Sequence, residues 1–324
     1  MSLITLTIND KKIHVKQGTT ILQAARMLNI DIPTLCHLNM HDGKTTNHPG
    51  SCRVCVVEVL GRRNLAPACS TPATEGMVIK TNSIRAIKAR RTVLELILSD
   101  HPQDCLLCDR NTKCELQKLA AELGIREIRY KGEMSTYPVD NSSSSIVRNL
   151  DKCILCRRCE TVCNEIQTVG AISAVGRGFD TVVSTAFSLA IGETTCTFCG
   201  KCVSVCPTGA LTEVNNTSKV WNALDQTEKV VVVQTAPAVR AALGEEFGLD
   251  QGTSVTGKMV AALKALGFTK VFDTVFAADL TIMEEASEFA HRLKHGGKLP
   301  MLTSCCPGWV NFFEHQFSDL LDIP

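Results

Sequence analysis

The chain has 324 residues, enough for two or more domains with cores of their own. Lys and Arg total 34 against 33 Asp and Glu, and a net charge of +1 offers no electrostatic footprint for nucleic acid or a membrane surface. The opening MSLITLTINDKKIHV has no basic stretch ahead of an apolar core, and the most apolar run, 230–233, is far too short to span a bilayer; a cytoplasmic protein is expected.

Residues 3–15 alternate apolar and polar around Asn9-Asp10, which predicts a β-hairpin. Thr19 or Thr20 caps a short helix through Ile21, Ala25 and Leu28 that ends before Pro33. A loop over 41–51 and a strand over 54–60 follow, so 1–80 reads as a small β-grasp domain. Over 83–99, Ile84, Ile87, Val93, Leu94 and Ile97 predict an amphipathic helix, and a second helix over 114–123 stops at Gly124, within a segment 81–140. Asn141 and four serines after it read as a linker. The segment 141–216 contains an internal repeat, CILCRRCETVCNEI and CTFCGKCVSVCPTGAL. Beyond Asn216 strands are expected at 230–234, 271–275 and 299–303, with helices at 237–243, 253–266 and 280–293, a parallel α/β pattern for 217–324. The fold class expected is therefore multidomain α+β, ending in an α/β domain.

Seventeen cysteines, an odd number with no export signal, point to metal ligands rather than disulfides. Two C-x2-C-x2-C-x3-C runs, Cys153, Cys156, Cys159, Cys163 and Cys196, Cys199, Cys202, Cys206, let three sulfurs of one tight loop converge, with the fourth serving the other site. This groups Cys153, Cys156 and Cys159 with Cys206, and Cys196, Cys199 and Cys202 with Cys163, each set holding one [4Fe–4S] cluster. Pro207 follows Cys206 as this pattern expects, whereas Asn164 follows Cys163. Zinc is the alternative, though its sites use two separated C-x2-C pairs.

Cys36, Cys52, Cys55 and Cys69, with Gly50 and Ser51 before the second, resemble the [2Fe–2S] ferredoxin domain of hydrogenases and respiratory complex I. The interval from Cys36 to Cys52 is longer than in that family and holds His41 and His48, read as solvated loop residues. His101, Cys105, Cys108 and Cys114, flanked by His-Pro-x-Asp-Cys and Cys-Glu-Leu-Gln, resemble the neighbouring [4Fe–4S] site with one histidine and three cysteine ligands. For both quartets a zinc site is the alternative, and His101 has a second one as a helix-end cap.

Fifteen cysteines are then used, leaving Cys305 and Cys306 in TSCCPGW at the end of the third expected strand, a position that faces the ligand crevice of an open α/β sheet. TSCCPGW is similar to the first signature of the H-cluster domain of Fe-only hydrogenases, and with the cluster modules the resemblance spans nearly the whole chain. It implies that Cys306 ligates the [4Fe–4S] part of an H-cluster and that Cys305 passes protons to it. Glu285 and Glu288, on one helix face with Arg292 a turn further, match the family's proton-pathway positions, and Ala236 to Arg240 match a segment near its active site. Taken alone, the glutamates would be a solvated acidic face and Ala236 to Arg240 a helix start.

No cysteine follows Cys306, so the four-cysteine H-cluster of the family is not fully ligated by this chain, and the expectation is a catalytic domain present in part. The expected function is reversible H2 oxidation with electrons relayed through one [2Fe–2S] and three [4Fe–4S] clusters. No dinucleotide fingerprint is present, Gly176-x-Gly178 being weak, so the expected partners are flavin- and NAD(P)-binding subunits, small iron–sulfur subunits and ferredoxin, in an NAD-linked, electron-bifurcating complex. The alternative is a non-catalytic electron-transfer subunit like those of complex I or formate dehydrogenase, which leaves TSCCPGW unexplained.

Overall fold

The computed structural model describes residues 2–38, 47 and 49–321. Two compact units are formed, Met1–Val214 with Cys306–Gln316, and Asn215–Cys305 with Phe317–Pro324. Among the described residues no helix is long and apolar enough to cross a membrane.

The first unit opens with β1 (Leu3–Ile8) and β2 (Lys11–Lys16), paired antiparallel with Ile8 opposite Lys11. Asn9 and Asp10 both take positive φ, 46° and 67°, as the two-residue turn that matches strand twist requires. Helix α1 (Ile21–Met27) starts at Thr20, whose hydroxyl accepts the Gln23 N–H at 3.2 Å while the Gln23 side chain accepts the Thr20 N–H at 2.9 Å. Strands β3 (Val56–Val59), β4 (Ala66–Pro67) and β5 (Val78–Lys80) complete a sheet of order β2-β1-β5-β3-β4, with β1 and β5 parallel and the other pairs antiparallel. Ile21, Leu22 and Ala25 of α1 pack on Leu6, Val57 and Ile79 of this sheet. Each of the larger side chains buried there stabilises the fold by about 1.5–3 kcal/mol.

Helix α2 (Ile84–Ser99) is capped by Ser83, but its inner face differs from the expected apolar stripe. Ile84 and Ile87 are exposed, whereas Ala86, Arg90, Leu94 and Glu95 are buried. The cause lies in the sheet. Strand β5 ends with Lys80 opposite Glu58, which leaves the Val56 carbonyl beyond the ladder, and Arg90 donates to it at 2.8 and 3.1 Å and to the Thr81 carbonyl at 2.8 Å. Buried carbonyls need donors, and that need outweighs burying two aliphatic chains.

Helix α3 (Glu115–Glu122) ends before Gly124, which takes φ 64°. The serine run expected as a linker is instead a hydrogen-bonded turn. Ser142 donates to Asp140 at 2.6 Å and accepts the Gly192 N–H at 2.9 Å, while buried Ser143 accepts the N–H groups of Ser145 and Ile146. Serine is flexible only where nothing accepts its bonds, and here Asp140 organises them. Next come β6 (Ile146–Arg148), α4 (Arg158–Thr161) running into a π-helical turn at Val162–Ile166, β7 (Ser173–Val175), β8 (Val182–Ser184), α5 (Lys201–Val205) and β9 (Leu211–Glu213). β6 pairs with β9 and β7 with β8, both antiparallel.

The second unit comprises α6 (Thr217–Leu224), β10 (Val232–Thr235), α7 (Val239–Glu246), α8 (Thr256–Ala265), β11 (Lys270–Asp273) and the 22-residue α9 (Thr274–His295). β10 and β11 are parallel, as expected. The third expected strand, 299–303, is not formed, so Cys305 and Cys306 do not sit at a strand end. Pro300 brings no N–H to a ladder there, and the flanking Leu299 is about half exposed, so neither pairing nor burial selects the extended form. A helix the periodicity did not suggest, α10 (Pro307–Gln316), follows, with Pro307 at its first position, where a missing N–H costs nothing.

Candidate metal centres

The two cysteine repeats share a backbone conformation as well as a spacing. Leu155 and Arg157 take φ 52° and 59°, and their counterparts Phe198 and Gly200 take 53° and 72°. Left-handed residues between the cysteines cost about 1–2 kcal/mol each when not glycine, and they curl each loop so that amides face sulfur. The Leu155 N–H donates to Cys153 Sγ at 3.4 Å and the Phe198 N–H to Cys196 Sγ at 3.4 Å. A repeat in composition is thus a repeat in geometry.

Cys153, Cys156, Cys159 and Cys206 line one apolar cavity, with Ile172, Val183 and Leu211 among its walls. Cys163, Cys196, Cys199 and Cys202 line a second, with Ile146 and Ile191. Each repeat therefore sends its fourth cysteine to the other repeat's cavity. The π-helical turn carries Cys163, and such a turn widens a helix where a side chain must be re-aimed. Burial pushes Cys153 up to about 11 and Cys156 and Cys202 up to about 12, and raises Cys159 and Cys196 as well. Thiols so desolvated become thiolates when a cation shares the cavity.

In the five-stranded domain Cys36, Cys52, Cys55 and Cys69 are all buried, with Cys55 and Cys69 sulfurs 3.3 Å apart. Hydrogen bonds from Cys52 and Cys69, with the N–H of Gly50 at 3.3 Å, hold Cys36 far below an ordinary thiol, while Cys52 and Cys69 are raised. A bond from Cys69 lowers Cys55 to about 7. Gly50 takes φ 126°, a conformation that favours glycine, and in it the amide approaches sulfur; an added carbon would stand 3.3 Å from the Ser70 hydroxyl. Asn47 escaped the sequence reading: buried, it donates to the Cys36 carbonyl at 2.5 Å and accepts the Leu38 N–H at 3.2 Å, closing the loop over the first cysteine. Its signal would have been a polar side chain between two cysteine-bearing turns. His41 and His48 lie outside the described residues.

His101 follows the end of α2, buried, and its Nδ1 donates to the Pro102 carbonyl at 2.9 Å. Its Nε2 is buried without a protein partner, which suits a neutral imidazole offering that nitrogen to a metal. Burial also lowers the ring's proton affinity. Cys105, Cys108 and Cys114 follow it in the sequence and are half-buried, and a side chain on Gly209 would meet Cys108 Sγ at 2.6 Å. Arg110 donates to the carbonyls of Val203 and Cys206, both at 2.9 Å, and so ties this loop to the second repeat.

Cys305 and Cys306 are exposed. The Cys306 carbonyl accepts the Trp309 and Val310 N–H groups that begin α10, and Gly308 lies so close to Cys199 and Thr197 that an added carbon would stand 3.6 and 3.3 Å from them. In the second unit, Glu285 accepts from Thr303 at 2.6 Å and Glu288 pairs with Arg292 at 2.8 Å. The latter bond, first among its causes, holds Glu288 below the ordinary carboxylate range. Arg240 of α7 lies 3.8 Å from Asp273.

Four families match in succession. Residues 2–83 match a 2Fe-2S iron–sulfur cluster binding domain, 90–129 the NADH-ubiquinone oxidoreductase-G iron–sulfur binding region, and 152–210 a 4Fe-4S dicluster domain. Residues 229–324 match the iron only hydrogenase large subunit, C-terminal domain. The NADP-reducing hydrogenase subunit HndD of Solidesulfovibrio fructosivorans is 62% identical over 331 residues, covering 100% of this chain and 56% of the relative. The chain belongs to the iron-only hydrogenase large-subunit family.

Iron hydrogenase 1 of Clostridium pasteurianum is 38% identical over 98% of this chain and 55% of its own length. The chain thus spans about half the length of these curated members of the iron-only hydrogenase family. The solved structure of an NAD+-reducing [NiFe]-hydrogenase in the H2-reduced state aligns at 30% identity and a TM-score of 0.59, covering 65% of this chain and 87% of that one. Domains that bind 2Fe-2S and 4Fe-4S clusters are therefore joined here to part of an iron-only hydrogenase domain.

Proposed function

We propose that the whole protein interconverts H2 with protons and electrons, and that this chain holds four iron–sulfur clusters leading to its catalytic domain. Cys36, Cys52, Cys55 and Cys69 hold one [2Fe–2S] cluster. His101 through Nε2, with Cys105, Cys108 and Cys114, holds a [4Fe–4S] cluster. The two cysteine-lined cavities hold one [4Fe–4S] cluster each, and Cys306 supplies one ligand to the H-cluster. Bound there, the clusters supply one-electron chemistry.

The chain's own groups orient and insulate that chemistry. Ile172, Val183, Leu211, Ile146 and Ile191 exclude water from two of the sites, and the amides of Gly50, Leu155 and Phe198 stabilise negative charge on sulfur. Cys305 carries the proton at the catalytic end, with Glu285, Glu288 and Arg292 as its outward path; Thr303 holds the Glu285 carboxylate in place. Electrons leave through partner subunits with NAD(P) or ferredoxin chemistry. Two similar curated relatives are both hydrogenases, one named NADP-reducing, and they support this reading.

The observation that carries the proposal is the reciprocal exchange of Cys163 and Cys206 between two apolar cavities, in a chain that also contains TSCCPGW. Full-length protein with a matured active site is expected to reduce a dye with H2. Iron-replete, sulfide-replete protein that shows no such reduction would overturn the catalytic reading, and protein free of iron and sulfide would overturn the ligation.

A further inference from the structure

Arg158 is buried and forms two parallel bonds to Glu115, at 2.7 and 2.9 Å, while its Nε has no protein partner. Neither residue is a cysteine-site ligand, yet both stand against ligands. Arg158 lies between Cys156 and Cys159, and Glu115 follows Cys114. The Glu115 N–H donates to the Pro207 carbonyl at 2.9 Å, one residue past Cys206. Next to them in the chain, Leu116 and Cys156 pack into a single apolar cluster with Cys36, Cys52, Leu35 and Leu94, with half-buried Cys114 against it. Ligands proposed for three different clusters thus share one apolar cluster flanked by this ion pair.

A structural clamp does not need charge at such a place, since an ion pair with one partner buried and the other half exposed adds little over apolar packing. Reduction does respond to charge. When one electron moves between neighbouring clusters, one gains a negative charge and the other loses it, with no proton transferred and no bond made. A fixed cation beside both favours the reduced form of each, and a carboxylate opposes it; buried Arg158 is weakly screened, half-exposed Glu115 more strongly.

We infer that Arg158 and Glu115 form a charge junction that sets the reduction potentials of these three clusters. Arg158 is a positioning residue for electrons, and Glu115 moderates it. Of the fourth cluster's ligands, Cys163, Cys196 and Cys202 pack in other apolar clusters and Cys199 is exposed, so that cluster forms an internal control. The inference rests on the ligation proposed above.

The test uses the full chain, assembled anaerobically, with iron and acid-labile sulfide measured first and EPR-monitored redox titrations next. Arg158→Gln is expected to lower the midpoints of the three clusters by at least tenfold in the reduction equilibrium, about 59 mV for one electron, and Glu115→Gln to raise them by less because its carboxylate is half exposed. Arg158→Lys keeps the charge while losing the paired bonds, and its midpoints stay near the parent's. The double Gln variant returns toward the parent, which a structural clamp would not do. If Arg158→Gln does not fold, Glu115→Gln and Arg158→Lys decide alone. Unchanged midpoints in Glu115→Gln, equal shifts in all four clusters, or a Lys variant that falls as far as Gln would overturn the inference. Lack of iron and sulfide in the parent chain would overturn the ligation instead.

Discussion

His101 gives its Nδ1 proton to the carbonyl oxygen of Pro102 at 2.9 Å, and this single bond dictates which ring nitrogen is left to bind a metal. The carbonyl can only accept, so the neutral ring presents Nε2 with its lone pair free. His101→Ala is expected to remove about four iron atoms per chain, one [4Fe–4S] complement. His101→Cys keeps the iron and lowers that cluster's midpoint, because a thiolate adds a negative charge. Iron analysis with EPR separates the two variants; full iron in His101→Ala would show that the ring is not a ligand.

Gly209 matters for space rather than for turn geometry. A methyl there would stand 2.6 Å from Cys108 Sγ and 3.3 Å from the Lys152 side chain. Gly209→Ala should displace the Cys108 loop, and a chelator should strip iron from the variant several times faster than from the parent. Gly132→Ala, with nothing within 4 Å, is the control and should match the parent rate.

Asp140 links acid sensitivity to the turn over the serine run. Burial pushes its carboxyl up, but bonds from Ser142 and the Ile191 N–H, with the Arg148 cation, outweigh that and hold it below the ordinary range. A carboxyl depressed on folding contributes its stability above the unfolded value, about 3.9, and that stability is lost as pH falls through the lower folded value. Asp140→Ala leaves buried Arg148 unpaired and should cost about 3 kcal/mol at pH 7. Urea titrations at pH 7 and pH 3 should show the difference between variant and parent shrinking in acid; a difference independent of pH would refute the account.

Arg90 holds α2 to the sheet through the Val56 and Thr81 carbonyls. Arg90→Met keeps the aliphatic stem and leaves two carbonyls unpaired, at about 1–3 kcal/mol each. Ile84→Ser on the exposed side of the same helix should stay within about 0.5 kcal/mol of the parent. Denaturant midpoints that rank these two the other way would restore the apolar stripe first expected for the helix.

Glu285 accepts the Thr303 hydroxyl two residues before Cys305. In full-length matured protein, Glu285→Gln is expected to slow H2-dependent dye reduction by about 10²-fold or more with iron content unchanged. Thr303→Val should slow it less, having removed the support and kept the carboxylate. A Gln variant as fast as the parent would take Glu285 off the proton path.

Short-range pattern carried a large part of this protein. The Asn9-Asp10 turn, the Thr20 cap, the Gly124 stop and the curl of each cysteine loop depend on residues within a few positions, where covalent geometry leaves few alternatives. Spacing alone also grouped the cysteines that line each of the two cavities. What the chain order could not disclose are choices made between distant partners. Arg90 displaced Ile84 and Ile87 from the core because a carbonyl 34 residues away lacked a donor. Asp140 turned a serine run into an ordered bend through Ile191, 51 residues on. Residues 299–303 stayed out of the sheet because a strand needs a neighbour as well as a sequence. Arg158 found Glu115 across 43 residues, and only folding brought that pair among cysteines from three loops. Local conformation follows from sterics already present in the chain, whereas burial, pairing and charge contact exist only once remote segments share a volume.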